Sequence, residues 1–172
     1  MRNTSVTSRR LQYAPVDLAR LDAFHGLVQD DHVRRYLLDG KLLPIQWTEA
    51  RVRDSQRLFA ERGVGLWLAH DRQSGDLVGF CGFLEVASMH PELQLVYALF
   101  ERFTGQGLAT EMAQTVVDEA LRHPGFERIF ASVDAANQAS CRVLDKLGFE
   151  RVRTERGSFG DLFLMRRTGS VT

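Results

Sequence analysis

Two glycines separated by one residue stand directly before the most regular amphipathic segment of the chain. The stretch RFTGQGLATE contains Gly105 and Gly107, and the apolar residues after it recur every three or four positions as far as Leu121. This spacing predicts a helix over residues 108–122 with one apolar face, which must pack on another element. Glycine permits backbone conformations that other residues avoid, so the turn can bring free N–H groups at the helix start close to an anion.

The turn lacks the marks of the common nucleotide-binding motifs. No third glycine completes G-x-G-x-x-G, and no lysine follows Gly107 as a P-loop requires. A nucleotide-binding domain of those types is therefore disfavoured. A phosphate-binding turn of another kind and a plain strand-to-helix turn fit these residues equally well.

Helical and strand patterns alternate along the rest of the chain. Strands are predicted at residues 11–14, in a hairpin formed by LWLAH and DLVGFCGFLEV, at 93–100, at RIFASV, and in a closing pair formed by FERVRTE and DLFLMRR. Further helices are predicted after Pro15, at 31–38, from a Thr48 cap to Arg62, and at 138–147 before Gly148. The order predicts a mixed α/β sheet in one domain over residues 1–172, with tails at 1–7 and 168–172.

Charge and composition exclude several classes of function. The 22 basic and 22 acidic side chains give a formal net charge of zero, so no basic field favours nucleic acid or an anionic membrane. The polar N-terminus and the absence of a long apolar window predict neither a signal peptide nor a membrane span, and hence a cytoplasmic location. Cys81, Cys141 and the five histidines follow no ligand spacing, so we expect no metal site and free thiols.

Two linked motifs carry a resemblance to a known family. YALFERFTGQGLATE and, further on, NQASCRVLDKLGF resemble the acetyl-coenzyme A-binding core of the GCN5-related N-acetyltransferases, the GNAT family. The resemblance runs from about residue 11 to 165, includes GDLVGF, and is closest to the branch that acetylates ribosomal-protein alanines. It implies a GNAT fold, with a mixed central sheet of about six to seven strands flanked by about four to five helices. It also implies acetyl transfer from acetyl-coenzyme A to a primary amine, with a protein or peptide N-terminal α-amine as the expected acceptor.

The phosphate-loop pattern of the family, Q/R-x-x-G-x-G/A, fits this sequence in two registers. Arg102-x-x-Gly105-x-Gly107 satisfies it literally, whereas Thr104-x-x-Gly107-x-Ala109 leaves threonine at the first position. We favour the second register, because it places the glycine and the alanine in the first helical turn, where the pyrophosphate must lie.

The resemblance also assigns residues to the cofactor. Backbone groups of the turn would hold the pyrophosphate, the preceding strand would run along the pantetheine arm, and the Leu99 N–H would point at the thioester carbonyl. Asn137 matches a residue that hydrogen-bonds the arm, which is compatible with an ordinary N-cap. The cofactor-binding set is Tyr97, Ala98, Leu99, Thr104, Gly105, Gln106, Gly107, Leu108, Ala109, Thr110, Asn137 and Ser140.

Catalytic groups depart from the family pattern. Many relatives place a tyrosine seven residues after the asparagine, but that position is Leu144 here. We therefore assign Ser140 to protonating or orienting the leaving thiolate, with a purely structural hydroxyl as an equal alternative. Gln94 stands where the branch often has glutamate, and it cannot accept a proton as a carboxylate does. Candidates for the base are Glu85, Asp134 and Glu92, or an ordered water.

Two alternatives to N-terminal acetylation stay open. The acceptor could be a small-molecule amine such as a polyamine, an aminoglycoside or an amino acid. The missing tyrosine and Gln94 also suit a catalytically silent acyl-coenzyme A-binding module. Monomer and homodimer are equally compatible with the sequence.

Overall fold

The computed structural model describes residues 5–86, 89, 91 and 93–169. Within these residues, eight strands form two sheets with the orders β1-β2-β3-β4-β5 and β6-β8-β7, and five α-helices accompany them. The strands are β1 (Val6–Thr7), β2 (Leu11–Pro15), β3 (Leu66–Asp71), β4 (Leu77–Glu85), β5 (Leu93–Leu99), β6 (Arg128–Asp134), β7 (Glu150–Gly157) and β8 (Gly160–Thr168). The helices are α1 (Leu21–Gln29), α2 (Asp31–Leu37), α3 (Ile45–Arg62), α4 (Leu108–Ala120) and α5 (Gln138–Lys146).

The predicted α/β fold is confirmed, with two corrections to the sheet. Val6 and Thr7, assigned to the N-terminal tail, pair with Tyr13 and Gln12 and add a short edge strand. The expected single mixed sheet is instead two sheets, and every pairing within the described residues is antiparallel. The two sheets meet where β5 contacts β6 without sharing a ladder.

The start of α3 differs from the sequence prediction. The N-cap residue is Pro44, in an extended conformation, and α3 begins at Ile45. Thr48 lies inside the helix, fully buried, with its hydroxyl 2.7 Å from Nδ1 of His25 on α1. The Thr48 cap is therefore wrong: this hydroxyl joins two helices, and the proline, which lacks an N–H and fixes its own φ, stands at the helix start.

Side chains of the first sheet alternate between two layers of helices. On β5, Leu95 and Leu99 pack in the core that contains α4 and α5, whereas Val96 and Ala98 pack in the core that contains α1, α2 and α3. This alternation follows from the two-residue period of a strand. The predicted apolar face of α4 is confirmed, and its buried residues are Leu108, Met112, Ala113, Val116, Val117 and Ala120.

A buried hydroxyl in α3 holds the first residue of β3. The Leu66 N–H donates to Ser55 Oγ at 2.7 Å, and both residues are fully buried. We expect Ser55→Ala to reduce the free energy of unfolding by about 1–3 kcal/mol, because a buried N–H loses its partner. Urea denaturation measures the difference.

The matched control is Ser74→Ala. The Ser74 hydroxyl accepts the Asp76 N–H in an exposed turn. Its removal should change stability by less than about 0.5 kcal/mol. Equal losses in the two variants would contradict the role given to Ser55.

Candidate active site

The glycine turn opens directly onto the N-terminus of α4. Gly105 and Gly107 have φ angles of 73° and 78°, and Gly107 is the N-cap residue without a side-chain cap. A Cβ at Gly105 would meet nothing within 4 Å, and one at Gly107 would meet only the guanidinium of Arg10 at 3.6 Å. The first N–H groups of a helix have no intrahelical acceptor and carry its positive dipole end. The turn is therefore an open site for an anionic group.

The turn is shaped by its own hydrogen bonds. Thr104 donates through both its N–H and its hydroxyl to the Glu101 carbonyl, at 3.0 and 2.6 Å, and the Gln106 side chain donates to the Arg102 carbonyl at 3.2 Å. Gly107 caps α4 and Ala109 is the second residue of the helix, the positions at which the favoured register puts them.

An arginine outside the predicted set contacts the same turn. Arg10 Nη1 donates to the Gln106 carbonyl at 2.9 Å, and its Nε donates to Glu111 in the first turn of α4 at 2.7 Å. Glu111 also accepts the Arg10 backbone N–H and the Ser8 hydroxyl, both at 2.7 Å. Burial opposes ionisation of Glu111, but these three donors outweigh it and lower its pKa. No local motif reveals Arg10, since 96 residues separate it from Gln106.

Backbone groups on one edge of β5 have no ladder partner on the side of β6. The Phe100 N–H donates to the Val78 carbonyl, so even-numbered residues of β5 bond to β4. In an antiparallel ladder the intervening residues then direct their N–H and C=O groups the other way. Tyr97 and Leu99 therefore present backbone groups towards the second sheet, as the predicted pantetheine and thioester contacts require.

Helix α5 brings the predicted Asn137 and Ser140 to this edge. Asn137 caps α5 by accepting the Ser140 N–H at 3.2 Å. The Tyr97 phenol donates to the Ser140 backbone carbonyl at 3.4 Å. Burial raises the pKa of Tyr97, so the phenol stays protonated at neutral pH. Tyr97, Asn137 and Ser140 thus form one polar group beside the β5 edge.

Gln94 lies at the junction of the two sheets. It is only 2% exposed; its side-chain carbonyl accepts the Ser132 hydroxyl from β6 at 2.7 Å, and its amide donates to the Pro91 carbonyl at 2.8 Å. The bond from Ser132 fixes β5 against β6, and the bond to Pro91 holds the segment before β5. The position suits a residue that joins the sheets better than one that contacts substrate.

Of the proposed bases, Glu85 lies far from Leu99, the residue whose N–H is predicted to contact the thioester. It pairs with Leu93, six positions along β5 from Leu99, which corresponds to about 20 Å. Its carboxylate is also ion-paired with Arg57 at 2.7 Å. Glu92 lies outside the described residues.

Asp134 lies at the start of the segment that leads into α5. It ends β6 and accepts the Asn137 N–H on its backbone carbonyl at 2.9 Å, directly before α5. Within the described residues its carboxylate has no hydrogen bond or ion pair. Burial, with a smaller contribution from Asp39, raises its pKa. A carboxylate of this kind can accept a proton from a bound ammonium more readily than an ordinary aspartate.

The sequence also led to expectations about the cysteines, possible metal ligands and possible membrane-spanning helices. Cys81 is buried and Cys141 is half-buried, and both are free thiols. In the described ranges, no group of three His, Cys, Asp or Glu is placed to hold a metal ion. No helix in that part of the chain is long and apolar enough to cross a bilayer.

Comparison with known proteins identifies the family. Residues 10–150 match the model of the acetyltransferase (GNAT) domain. The chain belongs to the GNAT acetyltransferase family. YkkB of Bacillus subtilis strain 168, an uncharacterized protein, is 31% identical over 103 residues, which are 59% of this chain and 60% of YkkB. The GNAT chain thus matches less than two thirds of the length of that relative.

Solved GNAT structures share the whole fold. A putative GnaT-family acetyltransferase from Bordetella pertussis has a TM-score of 0.83 and 22% identity, covering 96% of this chain and 99% of its own. RimL, a ribosomal L7/L12 α-N-protein acetyltransferase in complex with coenzyme A, has a TM-score of 0.79 and 19% identity, covering 95% and 97%. At these identities the likeness establishes the fold.

The raised pKa of Asp134 has a consequence for stability. An acid with a higher pKa in the folded state destabilises that state once it ionises, so its cost grows as pH rises above the unfolded pKa of about 3.9. We expect Asp134→Asn to raise Tm at pH 7 and to leave Tm unchanged near pH 3. Thermal unfolding across this range measures the effect, with Asp76→Asn in an exposed turn as the control. A lower Tm for Asp134→Asn at pH 7 would contradict the expectation.

Proposed function

We propose that this GNAT protein transfers an acetyl group from acetyl-coenzyme A to a primary amine, specifically a protein or peptide N-terminal α-amine. The observation that carries the proposal is the meeting of three features: the uncapped N-terminus of α4, the unpaired edge of β5, and the contact between Tyr97 and Ser140. Together they offer sites for a phosphate, for an extended amide-bearing arm, and for a departing thiolate.

The residues fit acetyl-coenzyme A in two respects. Gly105 and Gly107 leave open space in front of the α4 N–H groups, so a pyrophosphate can approach without meeting a Cβ. The backbone groups of Tyr97 and Leu99 can pair with the amides of the pantetheine arm, in the way that an added strand pairs with a sheet edge. Asn137, at the start of α5, would contribute its side-chain amide N–H to the same arm.

Acetyl-coenzyme A supplies an activated thioester carbonyl. The Leu99 N–H would donate to the carbonyl oxygen and stabilise the charge that develops there. During transfer the amine nitrogen bonds to the acetyl carbon and loses one proton, the carbon–sulfur bond breaks, and the thiolate takes up a proton. Ser140, next to the protonated phenol of Tyr97, would deliver or relay that proton.

The choice of an α-amine rests on proton arithmetic. An α-amino group with a pKa of about 7.7–8.0 is neutral in roughly a tenth of molecules at pH 7, whereas a lysine near 10.4 is neutral in about one in 2,500. A site without a strong base would face an added barrier of about 3 kcal/mol with lysine. Gln94 is not a base, and Asp134, even with its raised pKa, is a weak one. The resemblance to the ribosomal-protein branch supports the same acceptor.

Gly107→Glu tests the cofactor turn. We expect it to reduce acetyl-coenzyme A affinity at least a hundredfold, because the variant places a negative side chain in the phosphate site and strains a position with φ of 78°. Calorimetry measures the affinity, and circular dichroism checks the fold. Gly125→Glu is the control, since Gly125 has a φ of 88° and equally open surroundings but follows the C-terminal end of α4. Unchanged affinity in folded Gly107→Glu would place the cofactor elsewhere.

Ser140→Ala tests the leaving-group role. A group that acts on the thiolate contributes in the transition state, so we expect kcat to fall about tenfold or more with cofactor affinity nearly unchanged. Steady-state kinetics and calorimetry separate the two quantities, and Ser158→Ala in the exposed β7–β8 turn serves as the control. Equal loss of affinity and rate would make Ser140 a binding residue instead.

The acceptor is tested with two peptides of the same sequence. One has a free N-terminus and no lysine, and the other has a blocked N-terminus and one internal lysine. We expect the first to be acetylated faster between pH 6 and 9, because its amine is neutral in more molecules. Faster modification of the blocked peptide would contradict the α-amine assignment. Turnover of polyamines, aminoglycosides or amino acids alone would favour a small acceptor, and absence of thiol release with every amine would favour a silent binding module.

A further inference from the structure

Three arginines surround a depression beside the cofactor turn. This arginine pocket has a volume of about 440 Å³ and is lined by Arg9, Arg10, Asp71, Arg72 and Gln73. Its residues come from the segment just before β2 and from the end of β3 with the turn after it, and β2 and β3 are neighbouring antiparallel strands. The Arg72 N–H donates to the Arg10 carbonyl at 2.9 Å and fixes the two segments together.

The arginine pocket is continuous with the turn before α4. Arg10 lines the pocket, donates to the Gln106 carbonyl at 2.9 Å, and places Nη2 3.6 Å from the Cβ position of Gly107. Arg10 therefore forms a shared wall between the pocket and the phosphate turn. Any ligand whose phosphate lies at Gly107 has the arginine pocket within reach of its next substituents.

Positive charge predominates in the arginine pocket. Its one lining carboxylate, Asp71, accepts the N–H groups of Gln73 and Ser74 at 2.8 and 2.9 Å and so holds its own turn. Arg72 uses Nη1 on the backbone carbonyls of Ser8 and Arg9, and within the described residues no carboxylate forms an ion pair with it. Among the described residues, the Arg9 side chain has no hydrogen bond or ion pair. Glu111 pairs with Arg10 alone.

Coenzyme A carries a second anionic group of suitable chemistry. Besides the pyrophosphate it has a phosphomonoester on the 3′-oxygen of its ribose, with a charge of about −1.5 to −2 at pH 7. Arginine forks match phosphate oxygens in pairs and remain charged at all relevant pH values. In coenzyme A the ribose ring lies between this phosphate and the pyrophosphate. In the protein Arg10 lies between the arginine pocket and the turn, so the two anionic groups of the ligand match the two sites in order.

We propose that Arg9, Arg10 and Arg72 bind the 3′-phosphate of coenzyme A, an inference that rests on the proposed use of acetyl-coenzyme A. The contact makes the protein select coenzyme A over its dephosphorylated form. Arg10 also orients the turn through Gln106 and Glu111, and Arg72 also holds the segment before β2 through the carbonyls of Ser8 and Arg9. Arg9 has the 3′-phosphate as its proposed role.

The test compares coenzyme A with 3′-dephospho-coenzyme A. Calorimetry at low and high salt gives the Kd of each ligand for the full chain and for Arg9→Ala, Arg72→Ala and the double variant. Arg122→Ala is the matched control, because it removes an exposed arginine just beyond the C-terminal end of α4. Arg9→Ala removes a side chain that has no hydrogen bond or ion pair with the residues that the structure describes, so it keeps the test decisive if Arg72→Ala fails to fold.

We expect the unaltered protein to bind coenzyme A at least tenfold more tightly than the dephospho form, with a preference that shrinks at high salt. The double variant should lose most of this preference while its Kd for dephospho-coenzyme A changes less than about twofold. Arg9→Ala alone should lower the preference at least threefold, and Arg122→Ala should keep it. Equal affinity of the unaltered protein for both ligands, or an unchanged preference in folded Arg9→Ala, would overturn the inference and leave the proposed function standing. Binding of neither ligand would overturn both.

Discussion

The separation of β5 from β6 is the constraint on which the site depends. Each strand is the edge of its own sheet, and the buried Gln94–Ser132 hydrogen bond holds the two edges together at one point. An edge normally invites another strand, because its N–H and C=O groups lack partners. An extended chain of amides, such as the pantetheine arm of the proposed cofactor, could satisfy the groups that β6 leaves open. The unpaired N–H and C=O groups of β5 would thus gain hydrogen-bond partners when a ligand binds.

Alternation along β5 divides the surroundings of this gap into two sides. Leu95, Tyr97 and Leu99 belong to the core of α4 and α5, whereas Val96 and Ala98 belong to the core of α1, α2 and α3. The helix termini and Ser140 lie on the side of α4 and α5. On the side of α1, α2 and α3, the charge of Asp39, from the loop after α2, contributes to the raised pKa of Asp134. In the proposed reaction, the acetyl donor would lie on the side of α4 and α5, and the amine would approach from the side of the α2–α3 loop.

The sequence predicted what depends on local pattern and missed what depends on distant contact. The apolar stripe of α4, the strands, Gly107 at the helix start and the Asn137 cap are all signalled within a few residues, so each is confirmed in the structure. The Thr48 cap failed because a buried hydroxyl and a capping hydroxyl look alike in sequence, and only packing against His25 separates them. The split into two sheets was invisible because strand patterns do not specify which neighbours pair. Arg10 escaped notice for the same reason, as its partners lie on α4 and the turn before it.

The bonds from Ser8 and Arg10 to Glu111 tie the first strands of the chain to the first turn of α4. Fraying of the N-terminal strands and loosening of the cofactor turn are therefore coupled. Ordering of either one stabilises the other, and the coupling free energy is the same in both directions. A bound ligand that orders the turn also lowers the population of frayed N-terminus, by mass action. Amide protons of the first two strands then exchange with solvent more slowly in the complex. The exchange rate of the N-terminal strands therefore reports whether the turn is occupied.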